Sequence, residues 1–126
     1  MPKEIPALTG APRPVAPYSV VTEANGFLFL SGQVAIDPDG GPTPTDTADQ
    51  TDLILRNIGR ILEELGLGYR DVVKTTVFLA DIRDFGAMNE VYARFFDADP
   101  PARSAIQAGH LPAPQYRVEI EAIVAR

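Results

Sequence analysis

Cysteine is absent from all 126 residues. That excludes a disulfide scaffold, a thiol nucleophile and any cysteine metal site, and it fits a reducing compartment. Histidine occurs once, as His110, which argues against a histidine-built metal centre or a Ser-His-Asp triad. Basic residues are outnumbered, 11 against 17 acidic ones for a net charge of −6, and they form no run. The electrostatic footprint of a nucleic-acid binder is therefore missing. No apolar run approaches a membrane span, and Met1-Pro2-Lys3-Glu4-Ile5-Pro6 has no apolar signal-peptide core. The chain reads as soluble and cytoplasmic. Its length suits one domain with a core of its own.

Proline, in contrast, is frequent. Pro2, Pro6, Pro12, Pro14 and Pro17 rule out a helix over residues 1–17 and predict an extended, partly mobile arm. Order is expected from Tyr18-Ser19-Val20-Val21-Thr22. The turn Glu23-Ala24-Asn25-Gly26, in which Asn-Gly readily adopts positive φ, then joins this segment to Phe27-Leu28-Phe29-Leu30-Ser31 as a β-hairpin. The second strand is apolar on both faces and reads as central. Gly32 ends it, as a bulge or bend, or as a place where backbone faces a ligand. Asp37 to Pro42 is a loop by composition.

Thr47-Ala48-Asp49-Gln50 fits a capping box. Behind it Ile54, Ile58, Ile61, Leu62 and Leu65 recur at helical spacing, with Asp52, Arg56, Arg60, Glu63 and Glu64 on the solvated side. Gly66 and Gly68 are expected to stop this helix in the left-handed region. Val72 to Leu79 is a β-branched strand and Asp81 to Asp84 a turn. Asp84 is placed to cap a second helix, whose apolar positions are Phe85, Met88, Tyr92, Phe95 and Phe96. Asn89 borders that stripe, either facing solvent or orienting a neighbour. Leu111 to Pro114 is an irregular crossing, and Val118 to Val124 a last strand with Glu119 and Glu121 on one face. The order β-β-α-β-α-β-β puts two helices on one face of a mixed sheet. The other face keeps apolar residues that nothing in the chain covers, which predicts a homo-oligomer, with a closed ring as the natural symmetric solution.

One arginine is set apart. Asp99-Pro100-Pro101 cannot continue a helix and predicts a stiff, extended lead-in to Arg103, on a strand that puts Arg103, Ala105 and Gln107 on one face. A guanidinium held in this way suits bidentate capture of a carboxylate, although a structural ion pair fits the local sequence equally. Glu119 and Glu121, roughly 6.5 Å apart on a strand expected to neighbour it, are either a solvated acidic face, paired with Arg117, or a site in which one carboxylate activates water.

Six segments, in order and spacing, resemble the RidA/YjgF family: Ala16-Pro17-Tyr18, Ser31-Gly32-Gln33, Val73 to Leu79, Met88-Asn89-Glu90-Val91-Tyr92, Pro101-Ala102-Arg103-Ser104 and Val118 to Ala122. The resemblance runs from about residue 15 to the C-terminus. It implies an α+β, chorismate-mutase-like fold with a sheet of about six strands and two helices on one face. It also implies a homotrimer with sites between subunits. The implied activity is that of a 2-iminobutanoate/2-iminopropanoate deaminase. Such an enzyme hydrolyses reactive enamines and imines to 2-oxo acids and ammonia, and it needs no metal or organic cofactor.

Position by position, the resemblance makes Arg103 the binder of the substrate carboxylate and Glu119 the residue that positions water, with Glu121 the lesser choice. Tyr18, on the first strand, lines the pocket. Ser31 and Gly32 form the Ser-Gly pair at the cleft, and Asn89 is the helix asparagine near it. Ala105 stands where many members carry cysteine, so no thiol chemistry transfers, although its backbone can still meet substrate. The stretch Ile106 to His110 also departs from the commoner pattern. Three other readings remain: a non-enzymatic module that binds small carboxylates or 2-oxo acids, an RNA-cleaving relative, against which the acidic balance argues, and a relative of the same fold that deaminates within a catabolic pathway.

Overall fold

Asn25 and Gly26 adopt left-handed backbone, with φ of 54° and 81°. They turn the chain tightly enough for β1 (Val21–Ala24) to pair antiparallel with β2 (Phe27–Gln33). The structure is a computed structural model that describes residues 2–11 and 13–126. What was expected of Met1 and Pro12 lies outside the described residues. The remaining elements are α1 (Thr47–Glu64), β3 (Val72–Leu79), α2 (Phe85–Phe95), β4 (Ala102–Gln107) and β5 (Val118–Ala125). The element order is the expected one.

The sheet runs β1-β2-β5-β3-β4. Every pairing is antiparallel except β3 with β4, which α2 connects as a crossover. Five strands replace the expected six. The N-terminal arm adds only an isolated bridge, Glu4 to Glu23, because Pro2 and Pro6 on either side of Glu4 lack the amide a ladder needs. The arm is nonetheless fastened. Thr9 donates its amide and hydroxyl to Glu64 Oε1, at 2.7 and 2.6 Å, and Gly10 N reaches Glu64 Oε2 at 3.1 Å.

α1 buries Ile54, Leu55, Ile58, Ile61 and Leu62 against the sheet and α2, and cutting one of these to alanine would cost about 2–5 kcal/mol. Its cap lies one residue before the expected box. Asp46 Oδ1 accepts from Asp49 N at 2.7 Å, while Thr47 and Gln50 are buried and bond elsewhere. Gly66, at φ 75°, makes the stop alone; Gly68 is extended and opens the short 3₁₀ turn Tyr69–Asp71. Asp84 holds the N-cap position of α2 but makes no capping bond. Its Oδ2 instead accepts from Thr47 Oγ1 and Arg117 Nη2, both at 2.8 Å. Arg117 therefore does not pair with Glu119 or Glu121. The double-proline lead-in is entered through a reversal, with Asp99 at φ 48°, a conformation aspartate tolerates better than most residues.

On β5, Val118, Ile120, Ala122 and Val124 are buried beneath the helices. The opposite face carries Phe27, Phe29 and Ile106, all large and about half exposed. The uncovered apolar face expected from the strand pattern is present.

Candidate active site

Strand register decides which candidate residues can meet. β3 pairs Thr75 with Arg103 and Val77 with Ala105 on one side, and Val77 with Ile120 and Phe78 with Glu119 on the other. Directly paired residues share a face. Arg103 and Ala105 are therefore on the helix side of the sheet with Val77 and Ile120. Glu119 is on the uncovered side with Phe78. β3 also separates the strands of Arg103 and Glu119, so these are not neighbours as the sequence suggested.

On the helix side, Arg103 projects from the edge strand β4 beneath α2. Its guanidinium lies over the Tyr92 ring, 4.7 Å from the centroid, and 5.5 Å from that of Phe85. Nη1 donates to Asn89 Oδ1 at 2.7 Å and lies 3.8 Å from Met88 Sδ. Tyr92 is itself held by a 2.6 Å hydrogen bond to Thr75. No carboxylate pairs with Arg103 among the described residues. An arginine packed on aromatic rings and steered by one amide is oriented while its charge stays unneutralised. Asn89 is thus the orienting residue of the two readings. Ala105 packs towards the core beside Arg103, so a side chain there would not enter the Glu119 cleft of its own chain.

On the other side, Tyr18, Ser31, Gly32 and Glu119 line one cleft of about 560 Å³. Tyr18 is not in the first strand but three residues before it, and it is exposed. Ser31 and Gly32 together face β5 where one residue would ordinarily stand, because Leu30 pairs with Ala122 and Gln33 with Ile120. The extra residue is the bulge anticipated at this glycine. Ser31 is held there as its Oγ donates to Ser19 O at 2.7 Å and its amide to Val20 O at 2.9 Å. The bulge makes room for Glu119. A Cβ on Gly32 would collide with Glu119 Oε2 and lie 2.8 Å from its Cδ.

Glu119 is half-buried and accepts no hydrogen bond among the described residues. Burial first, and the charge of Glu121 second, hold its carboxyl above the usual carboxylate range. A carboxylate raised in this way accepts a proton from water more readily than an ordinary glutamate.

The remaining walls were not anticipated. Val15 and Ala16 of the arm, Val34 and Ile36 after β2, and Pro112, Ala113 and Tyr116 of the β4–β5 crossing complete the cleft. A second hollow of about 480 Å³ on the same side joins Glu119 to Phe78, His110 and Leu111. Leu111 to Pro114 read only as an irregular crossing, yet irregular backbone at a strand end is where binding residues concentrate. No group of three or more metal-ligating side chains comes together among the described residues, and no helix there is long and apolar enough to cross a membrane.

Residues 8–126 match the family described as Endoribonuclease L-PSP. A RutC family protein of Pyrococcus horikoshii is 46% identical over 96% of each chain. The 2-iminobutanoate/2-iminopropanoate deaminase of Mus musculus is 41% identical over 96% of this chain and 90% of its own. Among solved structures, Escherichia coli TdcF with bound serine superposes with a TM-score of 0.89 at 39% identity, over 98% of both chains.

Proposed function

The chain belongs to the RidA/YjgF family, and on that premise we propose that it is a hydrolytic deaminase of small 2-imino acids. Its substrates are of the 2-aminoacrylate and 2-iminopropanoate type, and its products are 2-oxo acids and ammonia. The observation that carries this reading is Glu119. It is a half-buried carboxylate, raised above its ordinary range, seated against a glycine bulge in a cleft that also holds Tyr18 and Ser31.

Arg103 binds the substrate carboxylate. It lies across the sheet from its own Glu119, so the two meet only where one subunit's β4 edge adjoins another subunit's cleft. The apolar face bearing Phe27, Phe29 and Ile106 supplies surface for that assembly. A closed homotrimer of chorismate-mutase-like architecture, with three sites shared between subunits, satisfies both requirements.

The chemistry asks little of the protein. The enamine tautomerises to the imine, which is electrophilic once protonated at nitrogen. Glu119 takes a proton from water as its oxygen bonds to the imine carbon. Glu119 returns that proton to the amino group of the resulting tetrahedral carbinolamine. The C–N bond breaks to release ammonia, and the hydroxyl loses its proton as the carbonyl of the 2-oxo acid forms. Such imines hydrolyse unaided, so orientation and one general base, the latter worth about 10²–10⁴-fold, suffice. No step calls for a metal or an organic cofactor.

The test is an assay with freshly generated 2-aminoacrylate, following 2-oxo acid release. Wild-type protein is expected to exceed the spontaneous rate, and Arg103→Ala to fall back to it with the assembly intact by light scattering. No acceleration alongside measurable 2-oxo acid binding would make the protein a carboxylate-sensing module instead. RNA cleavage that disappears in Arg103→Ala would move the activity to the nuclease reading.

A further inference from the structure

Gln50, which the capping pattern singled out, is fully buried yet caps nothing. Its Nε2 donates to Pro44 O at 2.7 Å and to Gln115 O at 2.9 Å, and its Oε1 accepts from Arg117 N at 2.7 Å. Two carbonyls and one amide permit a single orientation of the side chain, since a flip would set its oxygen against two others. Two of these bonds grip the backbone on either side of Tyr116, which with Pro112 and Ala113 brings the β4–β5 crossing to the Glu119 cleft. From the other direction the Arg117 side chain reaches Asp84, which also holds Thr47, the first residue of α1.

We propose that Gln50 is a positioning residue. By clamping residues 115 and 117 to α1 it sets where Tyr116 stands, and so sets the width of the cleft in which the substrate side chain sits. The proposal rests on the Glu119 cleft being the site. Gln50 touches no substrate. Its removal changes how well substrate fits and leaves the proton chemistry of Glu119 alone. Hydrogen bonds to this irregular crossing suit the task, because its own backbone bonds here are few: Ala80 N to Arg117 O at 2.9 Å and Tyr116 N to Ala113 O at 3.2 Å.

The experiment is a double-mutant cycle on imine hydrolysis with Gln50→Met and Tyr116→Ala, read as KM, kcat and pH profile. Gln50→Met is expected to raise KM at least about fivefold, since small displacements of a positioning wall are costly. It should leave kcat within about twofold and the acid limb of the profile in place. In the Tyr116→Ala background the KM effect should vanish, because the two substitutions then remove one interaction. Additive effects, or a loss in kcat at unchanged KM, would overturn the proposal. Should Gln50→Met fail to fold, the near-isosteric Gln50→Glu keeps the acceptor for Arg117 N but cannot donate to both Pro44 O and Gln115 O. It should give the same KM-only signature; an unchanged KM there would equally overturn the proposal. The underlying site assignment fails separately, if Glu119→Gln turns over at the wild-type rate.

Discussion

Arg103 and Glu119 stand on opposite faces of one sheet with β3 between their strands. Under the roles proposed for them, a small substrate reaches both only between two copies of the chain.

This arrangement predicts complementation. Arg103→Ala and Glu119→Gln should each be inactive alone. Refolded together in equal amounts they should recover about one quarter of the wild-type rate, since in a ring about one random pairing in four joins an intact arginine to an intact glutamate. A mixture that stays inactive would place both residues in a site within one chain.

Glu119 titrates above the usual carboxylate range because of burial and then Glu121. The acid limb of the turnover profile should therefore lie above that of an ordinary glutamate, and Glu121→Gln should move it down. The linkage runs the other way for stability. A carboxyl whose pKa rises on folding binds its proton more tightly in the folded chain, so stability falls as pH climbs from the ordinary range through the raised value. Glu119→Gln should thus be more resistant to urea than wild type at pH 7, with the difference fading below the ordinary glutamate range. A variant less stable at pH 7 would contradict the assigned shift.

Gly32 is needed for the room it leaves. The atoms a new Cβ would meet all belong to the Glu119 side chain, so Gly32→Ala should displace the carboxylate and leave the backbone alone. Turnover should drop about 10²-fold, the usual penalty for a misplacement near 1 Å, with the urea midpoint nearly unchanged. Wild-type kcat in this variant would show that Glu119 need not rest on the bulge.

Asn89 orients Arg103 through one hydrogen bond. Asn89→Ala should weaken 2-oxo acid binding about fivefold, in keeping with one modest hydrogen bond. Asn89→Asp should weaken it further, because a carboxylate there neutralises the guanidinium that the ligand requires. Calorimetry of the two variants makes the comparison, and equal affinities would separate Asn89 from carboxylate capture.

Much of this was legible locally. The hairpin at Asn25-Gly26, the α1 stripe and the bulge at Gly32 follow from turn chemistry and from periods of 3.6 and 2. The α2 stripe holds at Met88, Tyr92 and Phe96, whereas Phe85 is exposed and Val91 is buried in addition. The exchanged roles near the helix ends were not legible. Asp46 rather than Thr47 caps α1, because Thr47 and Asp84 are drawn into a bond with each other and with Arg117. Asp84 is spent in that network, and Gln50 in a clamp 65 and 67 residues away. Tertiary partners at such separations outweigh a local capping preference worth about 1 kcal/mol.

Residue types and spacing alone supplied the candidates: an arginine behind two prolines, glutamates at alternate positions, and a glycine where a strand had to yield. These are properties of short segments, set by backbone sterics and side-chain alternation. Which face each candidate occupies relative to the others came from strand order and register. The insertion of β5 between β2 and β3, and the parallel addition of β4 at the edge, are long-range pairings. They satisfy backbone hydrogen bonds across the whole chain, and alternation within a segment carries no trace of them. For that reason two residues sixteen positions apart, each readable in its own strand, could be assigned to opposite faces only once the sheet was assembled.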